Sequence, residues 1–447
     1  MTSAAAPTIS VSQLADNALR TVLQTQWDGE PAVRLDSPPG AGKTGVVERL
    51  AMQSLAVLRE RCMLATQTNE QAFDIARRLA RGYTRHSFFL LTRRELALPP
   101  DLSSLCNLSI VNSARDLPTG PCVAISNAAK WSWVQDPPMF DLQVVDEAFQ
   151  LPDYRFQQIA GMASRFVLVG DPGQIDPVVT CEVERWKSDS AGPHVPCPRA
   201  LTKRHPAVRT LSLPVSRRLV ADTVRYIQPA FYPKMAFAAL SAPGARGLSM
   251  PVSGALAIDR PLNLVQRGAS LVLVELDDQI TGEVDDEVAS TIVAMVERLI
   301  ARGATVRDDG KTEPLIPRMI GVVCAHVSQV NAVRERLPAF ASDVFVETAN
   351  RFQGIERPLM FVHHPLSGRA DPSEFHLDAG RLCVMMSRHR VACWLVARSG
   401  IDKQLLRYAP SGDRVLGVSD DPEYEGWRAH MSVLTDLGKH GRIVRVE

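Results

Sequence analysis

Short apolar runs alternate with amphipathic segments along the first half of the chain. The runs predict β-strands near residues 32–35, 62–65, 122–125, 142–145 and 166–169. Helices are predicted between some of them, from Thr44 to about Leu58 and from Asn69 to about Arg81. Strands that alternate with helices in this way indicate a parallel sheet with helices on both faces.

The second half repeats the pattern after a connection rich in Pro, Ser and charged residues. Further strands are predicted over Leu271–Glu275 and near 319–324, 343–347, 358–363 and 392–397. A helix is predicted over roughly Asp285–Arg302, and Gly303 suits its end. The apolar face of this helix carries Val288, Ile292, Met295 and Leu299. The chain is therefore expected to be an α/β protein with two mostly parallel sheets.

A glycine-rich loop over Ser37–Thr44 separates the first predicted strand from the first predicted helix. Gly40 and Gly42 allow the backbone to curl so that successive N–H groups point at phosphate oxygens. Lys43 can reach the β- and γ-phosphates, and the Thr44 hydroxyl is placed to ligate Mg²⁺. The loop predicts binding of ATP or GTP, although its first residue is serine where the usual pattern has glycine. The nucleotide-binding residues expected here are Gly40, Ala41, Gly42, Lys43 and Thr44.

Two further strands end in residues that suit the same chemistry. One runs directly into Asp146 and Glu147. An aspartate at this place holds Mg²⁺ through water, and the neighbouring glutamate can polarise the attacking water. The other leads into Gly170–Gln174, where the amide of Gln174 is free to contact a γ-phosphate.

More short motifs follow in a recognisable order. They are Ser12-Gln13, Ala65–Asn69, Leu213–Arg218, Ile320–Gln329, Val346–Glu356 and Val384–Arg390. The Val346–Glu356 segment fits the pattern V-x-T-x-x-x-x-Q-G-x-E, and the Val384–Arg390 segment has Ser-Arg at its centre. Together with the glycine-rich loop and the carboxylate pair, these motifs resemble the motor motifs of superfamily 1 helicases. The resemblance extends from residue 12 to residue 397.

The resemblance implies two RecA-like P-loop domains, over residues 1–207 and 208–400, and a C-terminal extension of unknown role over 401–447. It implies ATP and Mg²⁺ as cofactors, with ATP held between the domains. The implied partners are single-stranded or tailed DNA or RNA, and a protein docked on the extension. Backbone contacts along a single strand would make its binding sensitive to salt.

Residue roles carried over from the family fall into four sets. The implied catalytic residues are Lys43, Glu147, Gln174, Arg218 and Arg388, the two arginines acting as arginine fingers. The implied nucleotide-binding set adds Gln13, Arg217, Gly354 and Glu356 to the glycine-rich loop. The implied Mg²⁺ ligands are Thr44 and Asp146. The implied nucleic-acid contacts are Thr66, Asn69, Ser126, Lys130 and Thr348.

The polarity of movement rests on a missing insertion. The 3′→5′ branch of the superfamily carries a large insertion for which the chain has no room between Gln329 and Val346. The motifs Leu213–Arg218 and Val346–Glu356 also look more like those of the 5′→3′ branch, which includes the RNA helicases of nonsense-mediated decay. The resemblance therefore favours that branch. The expected function is an ATP-dependent helicase or translocase. An ATP-gated clamp on nucleic acid or on a partner protein uses the same motifs and stays an alternative.

The finger position itself stays open, because Arg217 and Arg218 are adjacent and either can reach the phosphate. Arg217 also occupies the slot of the family's aromatic ring against adenine, where a guanidinium can stack on the base or remain solvated.

Two other assignments have competitors. Gln24 and Gln26 compete with Gln13 for the role of reading adenine. Trp131 and Trp133 follow Lys130 and either stack on bases or are buried in the core.

Composition narrows the picture. Hydrophobic residues make up 45% and charged residues 22% of the 447 residues, as in a soluble globular protein. The net charge is +1, so nucleic acid has to be bound by a local groove. No apolar run is long enough for a membrane helix and the N-terminus lacks signal-peptide features, so a cytoplasmic location is expected. Cys181, His194, Cys197 and His205 have no common zinc spacing, and a loop is favoured over a metal site there.

Overall fold

The structure is a computed structural model that describes residues 10–179, 182–186, 189–407 and 421–446. The chain divides into two compact units. The first runs to Pro172 and resumes over Asp176–Pro214, and the second takes Gly173–Ile175 and the chain from Val215 onward.

The first unit is built on an eight-stranded sheet in which every pairing is parallel, with the strand order β4-β3-β5-β2-β6-β7-β1-β8. Its strands are β1 (Ala32–Asp36), β2 (Arg61–Thr66), β3 (Phe88–Leu91), β4 (Leu108–Val111), β5 (Cys122–Asn127), β6 (Phe140–Val145), β7 (Ala163–Gly170) and β8 (Arg209–Ser212). Its helices are α1 (Val11–Trp27), α2 (Lys43–Met52), α3 (Asn69–Gly82), α4 (Pro100–Ser103), α5 (Ala128–Ser132), α6 (Asp153–Ala160) and α7 (Cys197–Arg204).

Side chains that alternate along β2 enter two separate hydrophobic cores. Cys62 and Leu64 pack with residues of α2 and α3, whereas Met63 and Ala65 pack with residues of α5 and α6. Since successive strand residues point to opposite faces, helices cover both faces of this sheet. The predicted helix over 44–58 is present as α2, which continues as one π-helical segment over Gln53–Leu58.

The second unit contains a six-stranded parallel sheet in the order β16-β15-β17-β18-β12-β19, the antiparallel sheet β11-β13-β14 and the short pair β9-β10. Its strands are β9 (Val215–Ser216), β10 (Ala238–Ala239), β11 (Arg246–Ser249), β12 (Leu271–Leu276), β13 (Thr305–Asp308), β14 (Lys311–Pro314), β15 (Ile320–Cys324), β16 (Phe345–Thr348), β17 (Arg357–His363), β18 (His389–Arg398) and β19 (Ile443–Arg445). Its helices are α8 (Ala221–Phe231), α9 (Asp259–Gln266), α10 (Asp286–Ala301), α11 (Val327–Arg336), α12 (Glu374–Leu377), α13 (Ala379–Met386), α14 (Ile401–Arg407) and α15 (Pro422–Lys439).

The second sheet is also covered on both faces. Val272 and Val274 of β12 pack with residues of α9, α10 and α11, whereas Leu271 and Leu273 pack with residues of α8, α13 and α15. The predicted α/β fold class is confirmed, with two units that each contain a parallel sheet covered by helices on both faces. The predicted apolar face of α10 is buried, and Asp285 caps that helix by accepting hydrogen bonds from two backbone N–H groups.

Several elements were not predicted from the apolar pattern. β3 and β4 have four residues each, and β19 has three, which is too short for a clear alternation. β8 lies beyond residue 208, yet it pairs with β1 in the first sheet. In the described part of 401–447, β19 pairs with β12 in the second sheet, so this segment completes the second unit. No helix in the described ranges combines the length and apolar character needed to cross a membrane.

Candidate functional site

The glycine-rich loop connects β1 to the N-terminus of α2. Gly40 and Gly42 have φ angles of 70° and 88°, in the left-handed region that glycine tolerates best. Gly42 is the N-cap residue of α2, and Lys43 begins the helix. The backbone N–H groups at this helix end lack intrahelical partners, which makes the loop a ready site for phosphate.

Ser37, which stands in place of the usual glycine, ties this loop to the end of β7. Its backbone N–H donates to the Gly170 carbonyl at 2.8 Å, and its buried hydroxyl donates to the same oxygen at 3.0 Å. Gly170 itself has to be glycine, because a Cβ there would lie 2.7 Å from Cδ2 of Phe149. The ends of β1, β6 and β7 are thus held close together around Gly170.

Lys43, Asp146 and Glu147 form a compact charged group at these strand ends. Lys43 Nζ lies 3.3 Å from Oε1 of Glu147. Burial, and to a lesser extent the Glu147 carboxylate, raise the pKa of Asp146 to about 7 against the opposing effect of the Lys43 ammonium. Glu147 has a φ of 51° and donates its N–H to Asp146 Oδ1 at 3.0 Å. A non-glycine residue in the left-handed region is strained, so the surrounding structure has to hold Glu147 there.

This donor set fits a nucleotide with a hard divalent cation. Mg²⁺ prefers carboxylate, hydroxyl and water oxygens, which Asp146 and Thr44 can supply. A buried carboxylate with a raised pKa gives up its proton when a cation binds. The nearby ammonium of Lys43 suits a phosphate oxygen rather than the metal ion.

Four of the expected nucleic-acid contacts lie around the carboxyl ends of β2 and β5. In the parallel pairing of these strands Ala65 is opposite Ser126 and Thr66 is opposite Asn127. Asn127 Nδ2 donates to Oδ1 of Asn69 at 2.5 Å, and Asn127 Oδ1 accepts from the Lys130 N–H at 2.6 Å.

Three side chains of this group, those of Thr66, Ser126 and Lys130, donate hydrogen bonds to backbone carbonyls. The hydroxyl of Ser126 is buried and donates to the Leu91 carbonyl at 2.6 Å, and that of Thr66 is buried and donates to the Thr68 carbonyl at 2.9 Å. Lys130 Nζ donates to the Asn112 carbonyl at 3.3 Å.

The structure separates the two tryptophans that follow Lys130. Trp131 is fully buried and donates its Nε1–H to the Leu64 carbonyl at 3.1 Å, so it belongs to the core. Trp133 is 74% exposed. Gln13 makes a capping box with Ser10 at the start of α1, where its Oε1 accepts from the Ser10 N–H at 2.8 Å.

In the second unit, Arg218 and Glu356 form an ion pair. Arg218 Nε donates to Oε2 of Glu356 at 2.6 Å, and its Nη1 donates to the Ser387 carbonyl at 3.3 Å. Burial raises the pKa of Glu356, but Arg218 and Arg390 outweigh it and hold the pKa below its usual range. Arg388, which follows Ser387, is buried.

The other predicted residues of this unit lie on separate elements. Gly354 has a φ of 82° and precedes β17, and Thr348 ends β16. Arg217 is exposed and lines a cavity of about 420 Å³. Gln174 is buried. Its carbonyl oxygen lies close to Gly380 of α13, because a Cβ added to that glycine would be 2.4 Å from the oxygen.

A set of charged residues around Arg218 was missed from the sequence. Arg246, Asp308, Asp309 and Arg390 bond to one another and to the Arg217–Arg218 segment. They belong to β11, the β13–β14 hairpin and β18, so no local spacing connects them. The sequence signal that could have located part of this set is Asp309-Gly310, because an Asp-Gly pair favours a tight hairpin turn.

The group of Cys181, His194, Cys197 and His205 is described only in part, because Cys181 lies outside the described residues. Cys197 is buried in α7, and its Sγ donates to the Ala148 carbonyl at 3.4 Å. The described part of the chain contains no group of three or more His, Cys, Asp or Glu residues suited to a metal ion.

Fold and site together define the first unit as a P-loop α/β domain, followed by a second parallel α/β domain. A family model described as an AAA domain matches residues 275–400, within the second domain. No curated protein matches the chain significantly.

Solved structures similar to the chain include viral helicases. The helicase of PRRSV is 14% identical, with 86% of this chain and 54% of that chain covered and a TM-score of 0.42. Arterivirus nonstructural protein 10 (helicase) in complex with DNA is 16% identical, with 87% and 63% covered and a TM-score of 0.43. The chain therefore spans less than two thirds of the length of these proteins.

Proposed function

We propose that this protein is an ATP-dependent nucleic-acid motor of the superfamily 1 helicase type. The observation that carries the proposal is the group of Lys43, Asp146 and Glu147 beside the glycine-rich loop. It combines a phosphate-binding helix end, an ammonium, a cation ligand and a strained glutamate at one edge of a parallel sheet. The order of the remaining motifs and the AAA domain match support the same class.

In this proposal each residue has a separate task. The N–H groups of the loop and Lys43 bind the phosphates. Thr44 and Asp146 would hold Mg²⁺, which would neutralise phosphate charge. Glu147, which is half-buried and lies 3.3 Å from Lys43 Nζ, accepts a proton from the attacking water. Gln174 contacts the γ-phosphate, and Arg218 and Arg388 stabilise the charge of the transition state.

The nucleic acid is proposed to follow the carboxyl ends of β2, β5 and β16. Thr66, Asn69, Ser126, Lys130 and Thr348 are the proposed contacts. The hydroxyls of Thr66 and Ser126 are buried and donate to carbonyls, whereas Lys130 supplies a positive charge. Movement 5′→3′ is the proposed polarity, from the short distance between Gln329 and Val346.

The test is an ATPase assay with single-stranded DNA and RNA added side by side. We expect Mg²⁺-dependent hydrolysis that rises with one or both strands, because a bound strand favours the hydrolysis-competent state. A duplex with a 5′ tail should then open in preference to one with a 3′ tail. Stimulation without strand separation would favour the ATP-gated clamp or a translocase. Preference for a 3′ tail would reject the polarity, and no stimulation by any strand would reject the nucleic-acid substrate.

A further inference from the structure

The segment that carries Arg217 and Arg218 is held in place by a buried arginine. Residues 217–220 connect β9 to α8 and belong to neither. Arg246, whose side chain is 2% exposed, donates from Nη2 to the Arg217 carbonyl at 2.8 Å and from Nη1 to the Arg218 carbonyl. One guanidinium thus fixes two successive peptide groups of the segment.

Arg246 is fixed in turn by the tip of the β13–β14 hairpin. It begins β11, directly opposite Asp308 in the antiparallel pairing with β13. Its Nε lies 2.9 Å from Asp308 Oδ1 and 3.0 Å from Asp309 Oδ1. Asp309 and Gly310 form the two-residue turn with φ angles of 49° and 88°, the left-handed pair of a tight hairpin.

A second connection leads from the same hairpin tip to the side chain of Arg218. Arg390 donates to Asp308 at 2.6 Å and 3.0 Å and to Asp309 at 3.3 Å. It also donates to Glu356 Oε1 at 3.1 Å, while the other carboxylate oxygen of Glu356 accepts from Arg218. The hairpin therefore holds Arg218 at both ends, through its backbone carbonyl and through its guanidinium.

Arg246 is the buried member of this network, and a buried charge is costly unless it is paired. Its two aspartates at the hairpin tip supply that pairing, so the tip determines where Arg246 holds the Arg217–Arg218 segment. When the Arg218 guanidinium turns to a phosphate, Glu356 keeps Arg390 as its partner, and no carboxylate is left unpaired. We propose that Arg246 is a positioning residue for Arg218, and that the tip of the β13–β14 hairpin, Asp308 and Asp309, is thereby part of the hydrolysis machinery. This inference rests on the proposed ATPase function.

The test measures kcat, nucleotide affinity and thermal unfolding for Arg246→Ala, Arg246→Lys and the control Arg307→Ala. Arg307 is an exposed arginine of the same hairpin. We expect Arg246→Ala to lower kcat about 10²-fold, the loss that a displacement of about 1 Å produces. Nucleotide affinity, measured with a fluorescent ATP analogue, should change little. The kcat of Arg246→Lys should lie between those of Arg246→Ala and the wild type. The kcat of Arg307→Ala should match that of the wild type.

A double mutant separates positioning from general damage. In an Arg218→Ala background, Arg246→Ala should lower kcat no further, because it acts through a side chain that is already gone. Independent losses that multiply, or an equal loss of affinity and rate, would overturn the inference. If Arg246→Ala does not fold, Asp309→Asn at the exposed tip takes its place in the same cycle. Absence of ATPase activity in the wild type, or full activity in Lys43→Ala, would instead reject the proposed function.

Discussion

At the scale of single residues, the nucleotide site depends on a few side chains whose loss has distinct consequences. Lys43 is the one ammonium placed at the proposed γ-phosphate position in the described part of the first unit, and Glu147 is its carboxylate partner at 3.3 Å. Lys43→Ala should therefore abolish ATP turnover, because the developing phosphate charge loses its partner. Glu147→Gln should keep ATP bound and stop hydrolysis.

Steady-state hydrolysis and equilibrium binding of a fluorescent ATP analogue check both variants. Lys439→Ala, an exposed lysine near the end of α15, is the control and should keep wild-type turnover. Wild-type turnover in Lys43→Ala would show that the loop does not serve ATP hydrolysis.

The buried carboxyl of Asp146 predicts a pH-dependent stability. Its pKa of about 7 lies above the ordinary value of 3.8, so the folded protein takes up a proton between about pH 4 and pH 7 that the unfolded chain does not hold. Stability therefore falls as pH rises through this window, and the cost is complete above it. Asp146→Asn should raise the melting temperature by an amount that grows from pH 5 to pH 8, about 2–4 °C for each kcal/mol relieved.

Thermal unfolding in EDTA, without nucleotide, measures this gain directly. Asp343→Asn, at an exposed position of the second unit, should show no comparable gain. A gain in Asp146→Asn that is the same at every pH would contradict the raised pKa. The variant should also lose Mg²⁺-dependent ATPase activity.

The close packing around Gly170 predicts that a larger residue at this position destabilises the protein. A Cβ at this position would lie 2.7 Å from Phe149 Cδ2 and 3.0 Å from the Phe149 backbone nitrogen. Gly170→Ala should cost about 1–3 kcal/mol, typical of overpacking, and should lower nucleotide affinity because Ser37 binds the Gly170 carbonyl. Gly161→Ala, with open space around the added carbon, is the matched control for denaturant unfolding. Equal unfolding midpoints for the two variants would rule out the close contact.

At the scale of elements, α15 shows how the C-terminal segment is fixed to the second unit. A Cβ on Gly426 would lie 1.9 Å from the Leu377 carbonyl oxygen, whereas one on Gly438 of the same helix would make an ordinary contact at 3.7 Å. Gly426→Ala should destabilise the protein by at least about 1–3 kcal/mol. Gly438→Ala should be neutral or stabilise by up to about 1 kcal/mol, because alanine favours helix.

Chemical denaturation of the two variants measures the difference in unfolding free energy. Since Leu377 lies next to α13, which carries the residues before Arg388, the ATPase rate of Gly426→Ala should fall as well. Equal stability of the two variants would mean that α15 does not pack against Leu377.

At the scale of the whole molecule, charge decides how a strand can be bound. The net charge of +1 gives no general attraction to nucleic acid, so the proposed binding of a strand has to depend on local contacts, for which Lys130 is a proposed residue. Each phosphate contact adds about −0.7 to the slope of log affinity against log salt for single strands. Lys130→Ala should weaken binding and make this slope shallower by about that amount.

Fluorescence anisotropy with a labelled oligomer over a salt series checks the slope. Lys203→Ala, an exposed lysine on α7 of the same unit, should leave both affinity and slope unchanged. An unchanged slope in Lys130→Ala would remove this residue from the proposed contacts.

The sequence by itself determined the elements whose signals are local. The glycine-rich loop, the Asp146-Glu147 pair and the face of α10 follow from residues within a few positions of one another, where backbone geometry fixes the chemistry. The parallel α/β class followed for the same reason, because the alternation of strands and helices repeats along the chain.

Tertiary structure alone decided the features whose partners are distant in sequence. Ser37 binds Gly170, from another strand, whose carbonyl accepts from both the N–H and the hydroxyl of the serine. Trp131 and Trp133 have the same residue type and opposite exposure. Arg246 fixes the Arg217–Arg218 segment across a separate small sheet. Burial and hydrogen bonding between distant segments depend on how strands pair, and no local pattern in the chain encodes that.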